Sequence, residues 1–262
     1  MTPDTYIEPA RARVRAEQDA VDAKCDAFEA FIERVKEISM DRPAAPSVGA
    51  STVAGIQQHS TRTTDSGCRE VLTAFADTVR THSVENTNTD EPLLETVRAE
   101  FTESIAVALA PTTEASFTPE LKETIIAETE TRRAEATAFN RALDLEMDQL
   151  DAADEVVDEI TGWLLRSEEP PVSATGFNAL KLRHETLDAH RSRCDAFVQR
   201  RQEFLEETTN NSIKAGIRHR QLMPYLYDEL PVDHPVLATV AQLDAACKAY
   251  QRAVRDHLTR RG

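Results

Sequence analysis

Cysteine, histidine and carboxylate are the side chains of this chain that could do chemistry, and its cysteines come in a repeated setting. Residues 25–28 read Cys-Asp-Ala-Phe, residues 194–197 read the same, and residues 247–250 read Cys-Lys-Ala-Tyr. A thiol-based site and a recurring helical packing unit compete to explain this. In each copy the cysteine stands three residues before an aromatic, and an apolar residue precedes it by four or seven positions (Val21, Leu187, Leu243). That is the spacing of one helix face, and a buried free cysteine behaves as a small hydrophobe. Cys25, Cys194 and Cys247 are therefore read as core. Cys68, beside Gly67 at a helix start, is expected to be the exposed one, its thiolate favoured by the helix N-terminus.

Other chemistry finds little support. A di-iron bundle needs Glu-x-x-His on two helices. The residues three before the seven histidines are Ile56, Val79, Lys181, Leu187, Gly216, Pro231 and Val254. His190 and Cys194 are four apart and could share a metal with a third ligand such as His184, but two polar positions on a helix explain the histidines as well. There is no HExxH, no G-x-S-x-G and no glycine-rich phosphate loop. Carboxylates are so numerous that a pair such as Asp154 and Asp158 reads as a solvated face. Tyr225 and Tyr227 are expected to pack partly buried, with their hydroxyls at the rim. No catalytic, cofactor-binding or metal-binding residue emerges, and no cofactor is expected.

The elements that would position these groups are helical. The 262 residues include only seven glycines, and most prolines fall between periodic stretches. Ile7, Val14, Val21, Phe28 and Val35 repeat every seven residues, although Glu17 and Lys24 weaken the companion column. Helices are expected over about 66–81 and 91–109, the latter with Leu94, Val97, Phe101, Ile105 and Leu109 on one face. Thr118-Pro119-Glu120 reads as a cap and first turn, and no breaker follows until Gly162. Ala136, Leu143, Leu150, Val157 and Leu164 form one heptad column of this long helix. Phe139, Ala153 and Ile160 form part of the other. Beyond Pro170-Pro171 a second long helix presents Phe177, Leu180, Leu187, Cys194, Val198 and Leu205. Pro224 is expected to begin a short helix through Leu230. Asp233 should cap the last helix, with Val232 and Leu237 as a hydrophobic staple.

The fold expected is all-α: an elongated antiparallel helical hairpin or bundle with long coiled-coil-like helices. One helical domain over 1–262 would hold a mobile linker at 40–65, short helices at 66–110, the hairpin at 118–208 and C-terminal helices at 213–258.

Charge is uneven. The chain carries 46 acidic and 30 basic residues, net -16, and Arg outnumbers Lys 24 to 6. Residues 85–169 hold 22 acidic and 6 basic side chains, whereas residues 181–220 hold 9 basic and 6 acidic. An acidic arm lying beside a more basic one would account for this without nucleic acid. The acidic, Lys-poor, Thr-rich composition resembles that of a salt-loving archaeon's protein, in which a negative surface would keep the molecule hydrated. The N-terminus lacks an apolar signal region and no apolar run approaches membrane-spanning length, so a cytoplasmic protein with free thiols is expected.

The stretch "TPELKETIIAETETRRAEATAF", the long-helix–Pro-Pro–long-helix layout and the ending "PYLYDELPVDHPVLATVAQLDAA" resemble a family of uncharacterised, acidic, helical haloarchaeal proteins, a domain of unknown function. The motifs concern packing and turns, and the resemblance implies no activity, substrate or catalytic residue. The expectation is a non-catalytic helical interaction or scaffold protein of a halophile, not an enzyme, with a protein partner or self-association and no membrane. The alternative is a nucleic-acid-associated regulator, scanning "PYLYDELPVDHPVLATVAQL" as helix-turn-helix. Nucleic acid is disfavoured because the turn lacks the usual Gly and phosphate-binding charges are few.

Overall fold

The computed structural model describes residues 5–40, 66–83, 92–113, 115–206 and 219–261. Among them are eight α-helices and no strand: α1 (Ile7–Glu37), α2 (Ser66–Asp77), α3 (Leu93–Glu100), α4 (Glu103–Leu109), α5 (Pro119–Ser167), α6 (Phe177–Glu206), α7 (His219–Leu226) and α8 (Pro235–Arg261). All but the first residue of the linker expected at 40–65 lies outside the described residues. The chain divides into two compact units, residues 1–18 with 139–262 and residues 19–138. Helices α1 and α5 supply residues to both.

The 49-residue α5, about 70 Å long, starts as its sequence requires. Thr118 Oγ1 accepts from the Leu121 amide at 3.3 Å, and Pro119 loses nothing by lacking an N–H in the first turn. Glu120 turns back on its own amide and on the Thr118 hydroxyl, and both contacts lower its carboxyl.

In the unit of residues 19–138, short helices are held by aromatic mass. Phe31, Phe75 and Phe101 meet pairwise with ring centroids 5.8, 5.8 and 5.5 Å apart, inside a buried cluster that includes Val71, Val97, Ile105, Phe117 and Ile125. This cluster explains two departures from the sequence reading. The single helix expected over 91–109 is two, because Phe101 leaves helical geometry (φ −119°, ψ −132°) as its ring enters the trio. Thr102 then caps α4, its hydroxyl accepting from the Ile105 amide. The helix expected to reach residue 81 ends at Asp77 and passes into a 3-10 turn, Arg80–His82. Lys24, a flaw in the heptad pattern, is answered across the unit: its ammonium donates to Glu100 at 2.9 Å, and Ser83 donates to the same carboxylate oxygen at 2.7 Å.

In the other unit, long helices run antiparallel. Glu146 pairs with Arg201, Glu159 with Arg193, and Trp163 with His190. As the α5 number rises the α6 number falls, so the acidic arm does lie against the more basic one. Helix α8 returns along α6, with Arg191 donating to Asp244 at 2.9 Å. The first turns of α1 are fixed to α5 by Arg11, which donates to Asp151 and Asp154 at 2.5 and 2.8 Å, and to α8 by the Tyr6 amide on Thr239 Oγ1.

Three local expectations fail at the C-terminal end and the hairpin turn. Pro224 lies inside α7 and does not start a helix; its missing N–H removes one helical bond, to the carbonyl four residues before it. Helix α8 begins at Pro235, which places His234, not Asp233, at the capping position. Phe177, expected on the buried face of α6, is 53% exposed, because it is the helix's first residue.

Gly67, in the first turn of α2, shows how close the packing is. A Cβ there would stand 2.6 Å from Phe117 Cβ and 2.9 Å from its ring. Alanine adds at most about 1 kcal/mol of helix propensity, whereas overpacking costs about 1–3 kcal/mol, so the clash wins. Gly67→Ala is expected to lower stability to urea by roughly 1–2 kcal/mol, and combining it with Phe117→Gly, which removes the Cβ as well as the ring, should relieve the steric part.

Candidate functional site

The most concentrated chemistry in the described residues is a buried polar centre in the unit of residues 1–18 and 139–262. Glu146 on α5 is 0% exposed and Arg201 on α6 is 1% exposed. Arg201 Nη1 donates to Glu146 Oε2 at 2.7 Å and Nη2 to Oε1 at 2.8 Å. The Tyr227 hydroxyl, just past α7, donates to the same Oε1 at 2.6 Å. Arg201 Nη2 also lies 3.2 Å from Met223 Sδ, and its guanidinium sits over the Phe204 ring at 5.1 Å. Burial first, then the Glu146 charge, pushes the Tyr227 hydroxyl well above its ordinary range.

The helical repeat puts these residues there. Glu146 stands seven residues from Phe139 and Ala153, at the vacant place in the second heptad column of α5. Arg201 stands seven beyond Cys194 in the series Leu180, Leu187, Cys194. Both occupy positions where a hydrophobe would be ordinary. What the arrangement can do chemically is limited. Each carboxylate oxygen is already engaged, all three side chains are buried, and a substrate would have to displace the guanidinium to reach Glu146. Removing one member of such a pair leaves a buried charge alone, which costs more than the pair contributes.

A second cluster lies nearer the α5–α6 turn. His190 packs edge-on against Trp163 with centroids 5.0 Å apart, and Trp163 meets Tyr250 at 6.4 Å. The Tyr250 hydroxyl donates to the Ser167 carbonyl and accepts from Arg183 at 3.2 Å, while Arg183 also donates to the Pro170 carbonyl. His190 Nε2 is buried without a hydrogen-bond partner. Burial lowers the imidazole from its ordinary value; Glu159 opposes this and Arg193 adds to it.

The residues singled out from the sequence are scattered. Cys194 and Cys247 are 1% and 0% exposed, and burial pushes their thiols up to about 12 and about 11, which fits the packing reading. Cys25 departs from it: it is half-buried, because its heptad neighbours are Gln18 and Ile32, a boundary column. Cys68 departs the other way. It is buried, and its Sγ lies 3.5 Å from the Ala115 carbonyl, since the segment after α4 covers the start of α2. His184, His190 and Cys194 form no metal-binding group among the described residues. Asp154 is occupied by Arg11, and Asp158 is exposed. Of the two tyrosines, Tyr225 packs as expected, 47% exposed with its ring against Phe139 and its hydroxyl donating to Glu17 at 2.8 Å, whereas Tyr227 is wholly buried, hydroxyl included. The helix-turn-helix stretch places Val236, Thr239, Val240 and Leu243 of α8 in the core.

Open clefts indent the described surface of this unit. One of about 360 Å³ is lined by Gln202, Leu205, Glu206 and His234. Another, about 300 Å³, is lined by Phe139, Gln221, Leu222 and Tyr225. Neither brings together a nucleophile and a base.

The polar centre is open to a double-mutant test. Arg201→Met alone should destabilise the protein by about 3–5 kcal/mol, because Glu146 is left charged and buried. Adding Glu146→Leu should recover most of that loss, and Tyr227→Phe should cost about 1.5–3 kcal/mol. Urea unfolding of the single and double variants measures all three; a double variant as unstable as Arg201→Met would show that the loss comes from packing.

No curated protein and no solved structure matches the chain significantly. A family described as a domain of unknown function (DUF7260) matches residues 5–251. With nearly its whole length matched, α1 through most of α8, the chain belongs to that family.

Proposed function

We propose that this is a non-catalytic helical interaction protein of a salt-loving organism's cytoplasm, which binds a protein partner or a second copy of itself through the α5–α6 turn. The observation that carries this reading is the exposure of apolar side chains there: Leu165 is 52% exposed, Phe177 53% and Leu182 64%. Single exposed hydrophobes are ordinary, but several gathered at one end of a helical pair suit a contact surface. The same unit spends its buried charged groups on one another, which supports a structural role for them. Among the described residues no helix is long and apolar enough to cross a membrane.

The test is association in molar salt. Wild-type protein and the triple variant Leu165→Ser, Phe177→Ser, Leu182→Ser are compared by sedimentation and by recovery of bound proteins from native lysate. The triple variant should fold, by circular dichroism, yet lose association. Identical behaviour of the two proteins would remove the turn from consideration.

The net charge of -16 makes a second expectation. At molar salt the Debye length is about 3 Å and like charges scarcely interact; at tens of millimolar it reaches well beyond 10 Å. Melting temperature should therefore fall as salt is diluted. A flat profile would count against a high-salt habitat.

A further inference from the structure

We infer that His190 and Trp163 form an acid-sensitive contact that holds α6 to α5 near the hairpin turn and releases when the imidazole takes up a proton. Three observations meet at this point. His190 is 9% exposed, its Nε2 is buried with no hydrogen-bond partner, and its ring rests on Trp163 at 5.0 Å and 63°. A neutral imidazole tolerates such a place, whereas an imidazolium needs an acceptor at each nitrogen and has none at Nε2.

The surrounding charges leave this demand unmet. From α5, Glu159 faces the ring but is held by Arg193 of α6. From α8, Tyr250 reaches the cluster through Trp163, and Asp244 is taken by Arg191. On α6, Asp188 accepts from Gln251 of α8 at 3.4 Å. The two charges nearest the ring oppose each other, so burial decides. Its direction is downward from the ordinary imidazole value of 6.5.

The sign follows from linkage. A group whose folded-state value lies below its unfolded one binds fewer protons when folded. His190 thus supports the contact above pH 6.5, and that support is lost as the pH falls from 6.5 through the lower folded value. The inference does not depend on any partner at the turn.

Trp163 is the only tryptophan in the chain, so tryptophan emission comes from this cluster, and the His190 variants below assign its change to the His190 contact. Full-length protein in molar salt is titrated from pH 8 to pH 4.5, following emission and far-ultraviolet circular dichroism. Emission should change in one step centred below pH 6.5 while helix content holds. His190→Phe and His190→Gln should abolish the step. The wild type should lose about 3–5 °C of melting temperature per pH unit in that window relative to either variant. Flat emission in the wild type, a step that survives in a folded variant, or a step that coincides with loss of helix would each overturn the inference. If neither variant folds, an imidazole resonance of His190 titrating at or above 6.5 overturns it equally.

Discussion

The pairing of Glu146 with Arg201 is the constraint on which the larger unit depends. Two opposite charges with almost no exposure are stable only together and only in one geometry. That geometry sets register. Slide α6 along α5 by one heptad and Glu146 faces Cys194 while Arg201 faces Phe139. Each charge is then buried without an answer. The apolar residues at the other heptad positions would tolerate the slide far better, since Leu150, Val157, Leu180 and Leu187 are all hydrophobes. A seam of interchangeable hydrophobes needs some polar member to choose among its registers, and Tyr227 extends that choice to the segment after α7.

The unit of residues 19–138 solves a different problem. Helices of 12, 8 and 7 residues are too short to hold themselves in water, and register hardly matters for them. Three phenylalanines supply much buried area per residue, at the expense of a break in the chain at Phe101. The buried polar group, Glu100 with Lys24 and Ser83, sits beside that break. Polar specificity serves the long helices, and aromatic bulk serves the short ones.

The long elements were legible because they obey one rule over many turns. Thr118-Pro119 and Pro170-Pro171 bracket α5 closely, and the column through Val14 is buried throughout, those through Leu150 and Leu187 along their central turns. Where tertiary contacts decide, the pattern misled. Nothing local to Phe101 says that its ring will join Phe31 and Phe75. Gly67-Cys68 reads as an exposed helix start until Phe117 covers it. Cys25 shares its phrase with Cys194 but stands one column over, so identical neighbours gave unequal burial. The polar centre was half visible: the vacancy between Phe139 and Ala153, and the Arg continuing the series of Leu180, Leu187 and Cys194, are opposite charges on core positions of two antiparallel helices. Reading the gaps in a heptad column as closely as its members would have paired them.

The two polar clusters of the larger unit differ in how their charges are met, although Arg201 Nε, like His190 Nε2, is buried without a partner. At Glu146 both oxygens are engaged and a partner is shared with Tyr227, so any displacement breaks several charge-assisted bonds at once. At His190 a ring nitrogen is left without a partner, and the neighbouring Glu159 already has one in Arg193. A cluster whose charges answer each other resists change, and one in which a new charge would find no acceptor is where a small chemical event alters the balance. The order along α5 matters as well. The Glu146 pair lies towards the middle of the helix, the Trp163–His190 contact within five residues of its end at Ser167. Loosening there leaves the register upstream intact, because the bonds that define it are more than three turns away along the same helix.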